Sequence, residues 1–171
     1  VKTVFMKKRI LVLVTALYSL CSGAQTNNYQ ADTDSINHIC DASLEIISVQ
    51  RGEPVNWERF TNLFLKDGVL IWTGQREDTC RASVITLEKM KKDTGYERHG
   101  FKEKPLKRII HQFGQVACVF ESYEAQDREG KYKSRGVNIY QLVYKEGRWW
   151  IASISWCDET EKLKLPTEME K

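Results

Sequence analysis

The sequence predicts a single α+β domain in which helices pack on one face of an antiparallel sheet. Three observations point there. Apolar residues in the first half recur at helical spacing (Ile36, Ile39, Cys40, Leu44, Ile47). From Lys104 onward the runs are rich in β-branched and aromatic residues, separated by turn signals. Helices first and strands second is the pattern of an α+β architecture, and 171 residues make one domain's worth of chain.

The N-terminus reads as an export signal. Lys7-Lys8-Arg9 is a basic patch, Ile10 to Leu20 an apolar run too short to span a bilayer, and Ser22-Gly23-Ala24 a small-residue cleavage site. Residues 1–24 are therefore expected to be a signal peptide and the protein periplasmic or extracellular. The start residue stays open between Val1 and Met6. A lipoprotein anchor at Cys21 is the minority reading, because Leu20 stands where such signals carry a small residue. Residues 1–24 hold four basic side chains (Lys2, Lys7, Lys8, Arg9) and no acid. Without them the 26 Lys and Arg fall to 22 against 23 acids, a net charge of −1. The basic balance thus belongs to the signal, and it gives no reason to expect nucleic acid.

Residues 25–32 are a polar linker, 33–160 the domain and 161–171 a charged tail expected to be flexible. The first helix ends near Arg51-Gly52. Asn56 can cap a second, with Trp57, Phe60, Leu63 and Phe64 on its apolar side. Lys66-Asp67-Gly68 stops it, and Val69 to Trp72 reads as a short buried strand. Val84, Leu87 and Met90 suggest a third helix over 83–93. Four strands follow, with turns at Phe113-Gly114, Asp127 to Gly130 and Glu146-Gly147. Connections this short make them a meander. Strict alternation in the last strand would place Trp150, Ala152, Ile154 and Trp156 on one face and Trp149, Ile151, Ser153 and Ser155 on the other.

Three stretches resemble the nuclear transport factor 2-like superfamily, in its SnoaL-like bacterial branch. They are Trp57 to Leu70; Gln112 to Ala125, with Gly114, Val116, Ala117, Val119 and Ser122-Tyr123-Glu124; and Arg135 to Trp156, with Arg135-Gly136-Val137-Asn138, Gln141-Leu142, Arg148-Trp149-Trp150 and Ser153. The resemblance implies a curved antiparallel sheet wrapped around the three N-terminal helices, a cone-like, cystatin-like α+β roll. It further implies a pocket in the mouth of the cone and homodimers through the sheet. It implies no single activity, since the superfamily holds isomerases, dehydratases, cyclases, hydrolases and pure binding modules. Cys118 departs from the polar or histidine residue that relatives commonly carry there, which weakens any transfer of chemistry at that position.

Candidate functional residues are few. In Glu121-Ser122-Tyr123-Glu124, alternation puts Glu121 and Tyr123 on one face, and Glu124 where Arg135 could meet it across the hairpin. Tyr123 and Glu124 (with Glu121 as the other base) are the candidate acid–base pair. Trp72, Arg135, Asn138, Gln141 and Trp156 are candidate ligand contacts, being aromatic or polar residues in otherwise apolar strands. Most other aromatics read as core.

His38, His99 and His111 have no second ligand at metal spacing, so no metal is expected, and no cofactor motif occurs. Cys40, Cys80, Cys118 and Cys157 match no disulfide framework. They read as buried thiols, with room for one bridge of undecided pairing. The basic segment from Lys89 to Arg108 reads as a solvated surface. The leading expectation is an exported domain binding a small apolar or amphipathic molecule. An isomerase or dehydratase with a Glu–Tyr pair is the alternative, and a dimerisation or protein-interaction module the third reading.

Overall fold

The computed structural model describes residues 29–76, 79–93 and 95–170. The signal peptide read at 1–24, with Met6 and Cys21, lies outside the described residues, as do residues 25–28 of the linker.

Helix α1 (Ile36–Ile47) begins at Ser35, whose side chain accepts a hydrogen bond from the His38 amide. This is an N-cap that satisfies one otherwise orphaned donor. Its apolar stripe is buried against the sheet, with Ile39 and Cys40 fully enclosed. Helix α2 (Trp57–Asn62) is capped by Asn56 as its sequence suggests. Arg59 grips Asp32 through two hydrogen bonds of 2.8 and 2.9 Å and reaches Glu45 at 2.8 Å. The end of the linker is thereby tied to both helices.

Six strands form one sheet: β1 (Phe64–Arg76), β2 (Thr79–Thr86), β3 (Phe101–Phe113), β4 (Val116–Asp127), β5 (Lys133–Lys145) and β6 (Arg148–Asp158). Their spatial order is β2-β1-β6-β5-β4-β3. The predicted meander β3 to β6 is present in full, and the β5–β6 turn has positive φ at both Glu146 (55°) and Gly147 (78°). That backbone matches the twist of a two-residue hairpin. The sheet is mixed, because β1 lies parallel to β6.

Three local expectations are corrected. Lys66-Asp67-Gly68 interrupts a strand and not a helix, as an irregularity between Phe64 and Val69 in the β1–β6 register. Ser83 to Thr86 belongs to β2, where Ile85 pairs with Leu70 and Val84 with Ile71. The helix reduces to α3 (Leu87–Met90), capped by Thr86, followed by α4 (Gly95–His99). Three consecutive β-branched residues, Val84-Ile85-Thr86, outweighed a helical spacing that strand residues can also produce. In β6, Gln141 pairs with Ser153 and Leu142 with Ile151, leaving Ala152 as a bulge. The bulge shifts the alternation, so Trp149 and Ile151 before it and Ile154 and Trp156 after it all face the helices.

The tail also departs from expectation. Leu165 and Met169 are buried, and the Ser122 hydroxyl donates to the Met169 carbonyl at 2.6 Å. Residues 161–170 run back over the outer face of the sheet because two apolar side chains among the charges find a seat there. All four described cysteines are free: Cys40 is buried, Cys118 and Cys157 half-buried, and Cys80 exposed.

Candidate functional site

The concave side of the sheet and the helices enclose a cavity of about 350 Å³, within the size range of small-molecule pockets. Phe60 of α2, Leu44 and Ile47 of α1, Leu70 of β1 and Met90 of α3 supply apolar wall. The sheet supplies the polar groups, and the register fixes which.

Tyr123, Gly136 and Asp158 are opposite one another on β4, β5 and β6. The absence of a side chain at Gly136 lets the Tyr123 ring lie across β5 and donate its hydroxyl to Asp158 Oδ1 at 2.6 Å. A Cβ at Gly136 would stand 2.6 Å from the Tyr123 oxygen. Gly136→Ala is therefore expected to destabilise by about 1–3 kcal/mol, the usual cost of overpacking. Thermal unfolding with near-ultraviolet circular dichroism checks this, and an unchanged Tm with an unchanged tyrosine signal would refute the packing argument.

One row along, Asn138 stands opposite Trp156, and its amide donates to Glu103 Oε1 at 2.8 Å. Burial pushes the Glu103 carboxyl up to about 7. The Asn138 hydrogen bond opposes this, while the charges of Glu121 and Asp158 reinforce it. A carboxyl titrating there can hold or release a proton near neutral pH. Burial, then the neighbouring Asp158 carboxylate, raises the Tyr123 phenol well above its ordinary value, so it stays protonated.

Of the residues singled out from sequence, Tyr123, Asn138 and Trp156 line this cavity. Trp72 is half-buried on β1 in register with Trp156 but does not contribute to the lining. Glu124, Arg135 and Gln141 lie on the outer face. There Glu124 meets Lys104 at 2.9 Å and Arg135 at 4.0 Å, which is the cross-strand contact that alternation suggests. Gln141 Oε1 accepts from the Ser153 hydroxyl at 3.1 Å. The pairing of Tyr123 with Glu124 in one cavity is thus corrected, because adjacent strand residues point to opposite faces. Glu121 does share Tyr123's face, but it is fully buried and bound to Arg108 and Tyr140.

Sequence reasoning missed Glu103 and Asp158. Glu103 was masked by its basic neighbours. Asp158 had a readable signal, being two residues beyond Trp156 on the same face, opposite a glycine in mid-strand.

No group of His, Cys, Asp and Glu among the described residues could hold a metal ion. No helix among them is long and apolar enough to cross a membrane.

Comparison with known proteins places the fold. No family model matches the sequence, and no curated protein matches it. Solved structures do. A protein of unknown function with a cystatin-like fold from Nostoc punctiforme superposes with a TM-score of 0.55 at 14% identity, over 74% of this chain and 90% of that one. A nuclear transport factor 2-like protein of unknown function from Pseudomonas putida gives 0.55 at 10% identity, over 80% and 94%. A protein assigned as the beta subunit of an aromatic-ring-hydroxylating dioxygenase, from Novosphingobium aromaticivorans, gives 0.58 at 13% identity, over 79% and 92%. At such identities the shared property is the fold: a curled sheet with N-terminal helices, of the nuclear transport factor 2-like, cystatin-like type.

Proposed function

We propose that this protein is an exported binding domain of the SnoaL-like kind that holds a small, largely apolar molecule in the cone of its sheet. The observation that carries the reading is the cavity itself. It is walled by apolar and aromatic side chains, with a few polar groups held by hydrogen bonds within the protein. Ligand pockets have that composition, in which the apolar wall supplies affinity and fixed polar groups supply orientation. Export rests on the signal-like N-terminal sequence alone. Pairing of two copies through the sheet remains a further expectation of the resemblance, supported by the 41% exposure of Phe120 on the outer face.

A second reading is favoured by one observation. Glu103, close to neutral in its titration, shares the cavity with the Tyr123–Asp158 pair. That is the material for proton transfer in an isomerase or dehydratase, with Glu103 in the role the sequence suggested for Glu124.

Binding of the neutral fluorophore prodan tests the pocket. Folded protein is expected to shift its emission to the blue with saturation. Ala125→Phe, which fills the cavity from β4, is expected to weaken binding at least tenfold while retaining a cooperative unfolding transition. Absence of any shift with the unmodified protein, or equal binding by a folded Ala125→Phe, would overturn the pocket reading.

A further inference from the structure

We infer that the cavity takes an organic ammonium ion, a protonated or quaternary amine carried on a small apolar body. The inference deepens the binding reading above and rests on it.

The first ground is the hydrogen-bonding inventory. Tyr123 donates its proton to Asp158, Tyr140 donates to Glu121, and Ser43 donates to the Cys40 carbonyl. Tyr132, at the exposed rim, donates to the Ser134 hydroxyl. Each of these groups lines the cavity with its own proton already committed to the protein. What they offer a ligand is lone pairs. One amide N–H of Asn138 is likewise engaged by Glu103. A ligand rich in acceptors is left with the second Asn138 N–H and the hydroxyls of Ser134 and Tyr96, whereas one bearing N–H donors or a positive charge meets the lone pairs of all these groups and the carboxylates as well.

The second ground is charge. Glu103 and Asp158 contribute carboxyls to the interior, and Asp93 and Asp127 stand nearer the mouth. Among the described residues, no Lys or Arg lines the cavity, and the only basic group is the exposed imidazole of His99. The arginines near these elements face elsewhere: Arg108 binds Glu121, and Arg128 donates to the Val49 carbonyl. Carboxyls drawn out of water without a cation are costly, and a bound ammonium would supply the missing partner.

The third ground is the wall. Phe60, Tyr96, Phe101, Tyr123 and Trp156 all present aromatic surface to the space. Aromatic faces attract cations, tryptophan most strongly, and more so away from water. Trp156 is the focus. Asp158 follows it by two residues on the same face of β6, and Asn138 with its Glu103 partner stands opposite it on β5. An ammonium over the Trp156 ring would have an acceptor to either side.

Four probes that each carry one phenyl ring separate the alternatives: 2-phenylethylamine (protonated at pH 7), benzyltrimethylammonium, 2-phenylethanol and phenylacetate, titrated by calorimetry. At least one ammonium is expected to bind ten times more tightly than the alcohol, with phenylacetate weakest. The two ammonium arms tell whether N–H donors or charge alone is recognised. Glu103→Gln keeps an oxygen for the Asn138 amide, so the fold is preserved. It is expected to reduce the ammonium-to-alcohol preference to threefold or less. Equal binding of alcohol and ammonium, tighter binding of phenylacetate, or no ammonium binding overturns the inference. Prodan binding then distinguishes a neutral-ligand pocket, in which the earlier reading survives, from no pocket at all.

Discussion

Arg108→Met is expected to destabilise the protein by about 3–5 kcal/mol, the cost of leaving a buried charge without its partner. Glu121 has no exposed side-chain surface, and the Arg108 side chain is 14% exposed. The guanidinium holds Glu121 Oε2 at 2.5 Å from Nε, Asp41 Oδ1 at 2.7 Å and Asn37 Oδ1 at 2.9 Å. It therefore stitches β3 and β4 to α1. Tyr140 donates to the other oxygen of Glu121 at 3.2 Å, and burial still raises the Glu121 carboxyl despite Arg108. Without Arg108 the carboxyl must take up a proton or draw in water. Replacing both partners by apolar residues, Arg108→Met with Glu121→Leu, is expected to recover most of the loss, because no buried charge then remains. Urea unfolding measures both. A single variant within about 1 kcal/mol of the parent, or a double variant no better than the single, would show that the pair is not what joins the helix to the sheet.

Glu103→Gln is expected to make the protein more stable at pH 8 and to flatten its stability between pH 4.5 and 8. The carboxyl titrates at about 7 in the folded protein against an ordinary value of 4.5. Between those values the native state holds a proton that the unfolded state has lost. The stabilisation associated with that proton is full below pH 4.5 and disappears as pH rises through 7, with an order of magnitude of 3 kcal/mol. Glutamine removes the titration while keeping the acceptor for Asn138. Subtracting the two stability–pH profiles, each from urea unfolding, isolates this group from all others. Parallel profiles would mean that Glu103 stays well solvated in the folded protein.

Most of the scaffold was legible in the sequence because its signals are local. Ser35 and Asn56 cap helices, and Glu146-Gly147 makes a tight turn. Runs enriched in β-branched and aromatic residues, set apart by turn signals, gave the four-strand meander. What failed was governed by distant partners. Ser83 to Thr86 completes its strand on the pairing edge that β1 offers to its β-branched residues, and the parallel β1–β6 neighbourhood leaves no mark on either strand's own residues. The bulge at Ala152 rephased a strand whose alternation otherwise looked regular. The candidate site was legible to the extent that strand parity decides it. Tyr123, Asn138 and Trp156 share the inner face. Glu124, Arg135 and Gln141 could have been assigned to the outer face by counting from Tyr123. Glu103 could not, since a bulge between Pro105 and Lys107 breaks the count along β3.

The place of β6 in the sheet has a kinetic consequence. It follows the other five described strands in sequence, yet it sits third of six, joining the β2–β1 hairpin to the β3–β4–β5 meander. Until residues 148–158 are available, those two pieces have no backbone ladder between them, and each presents an unpaired edge. Closure over such sequence distances is slow. The nascent chain should thus keep these two pieces apart until β6 has been synthesised.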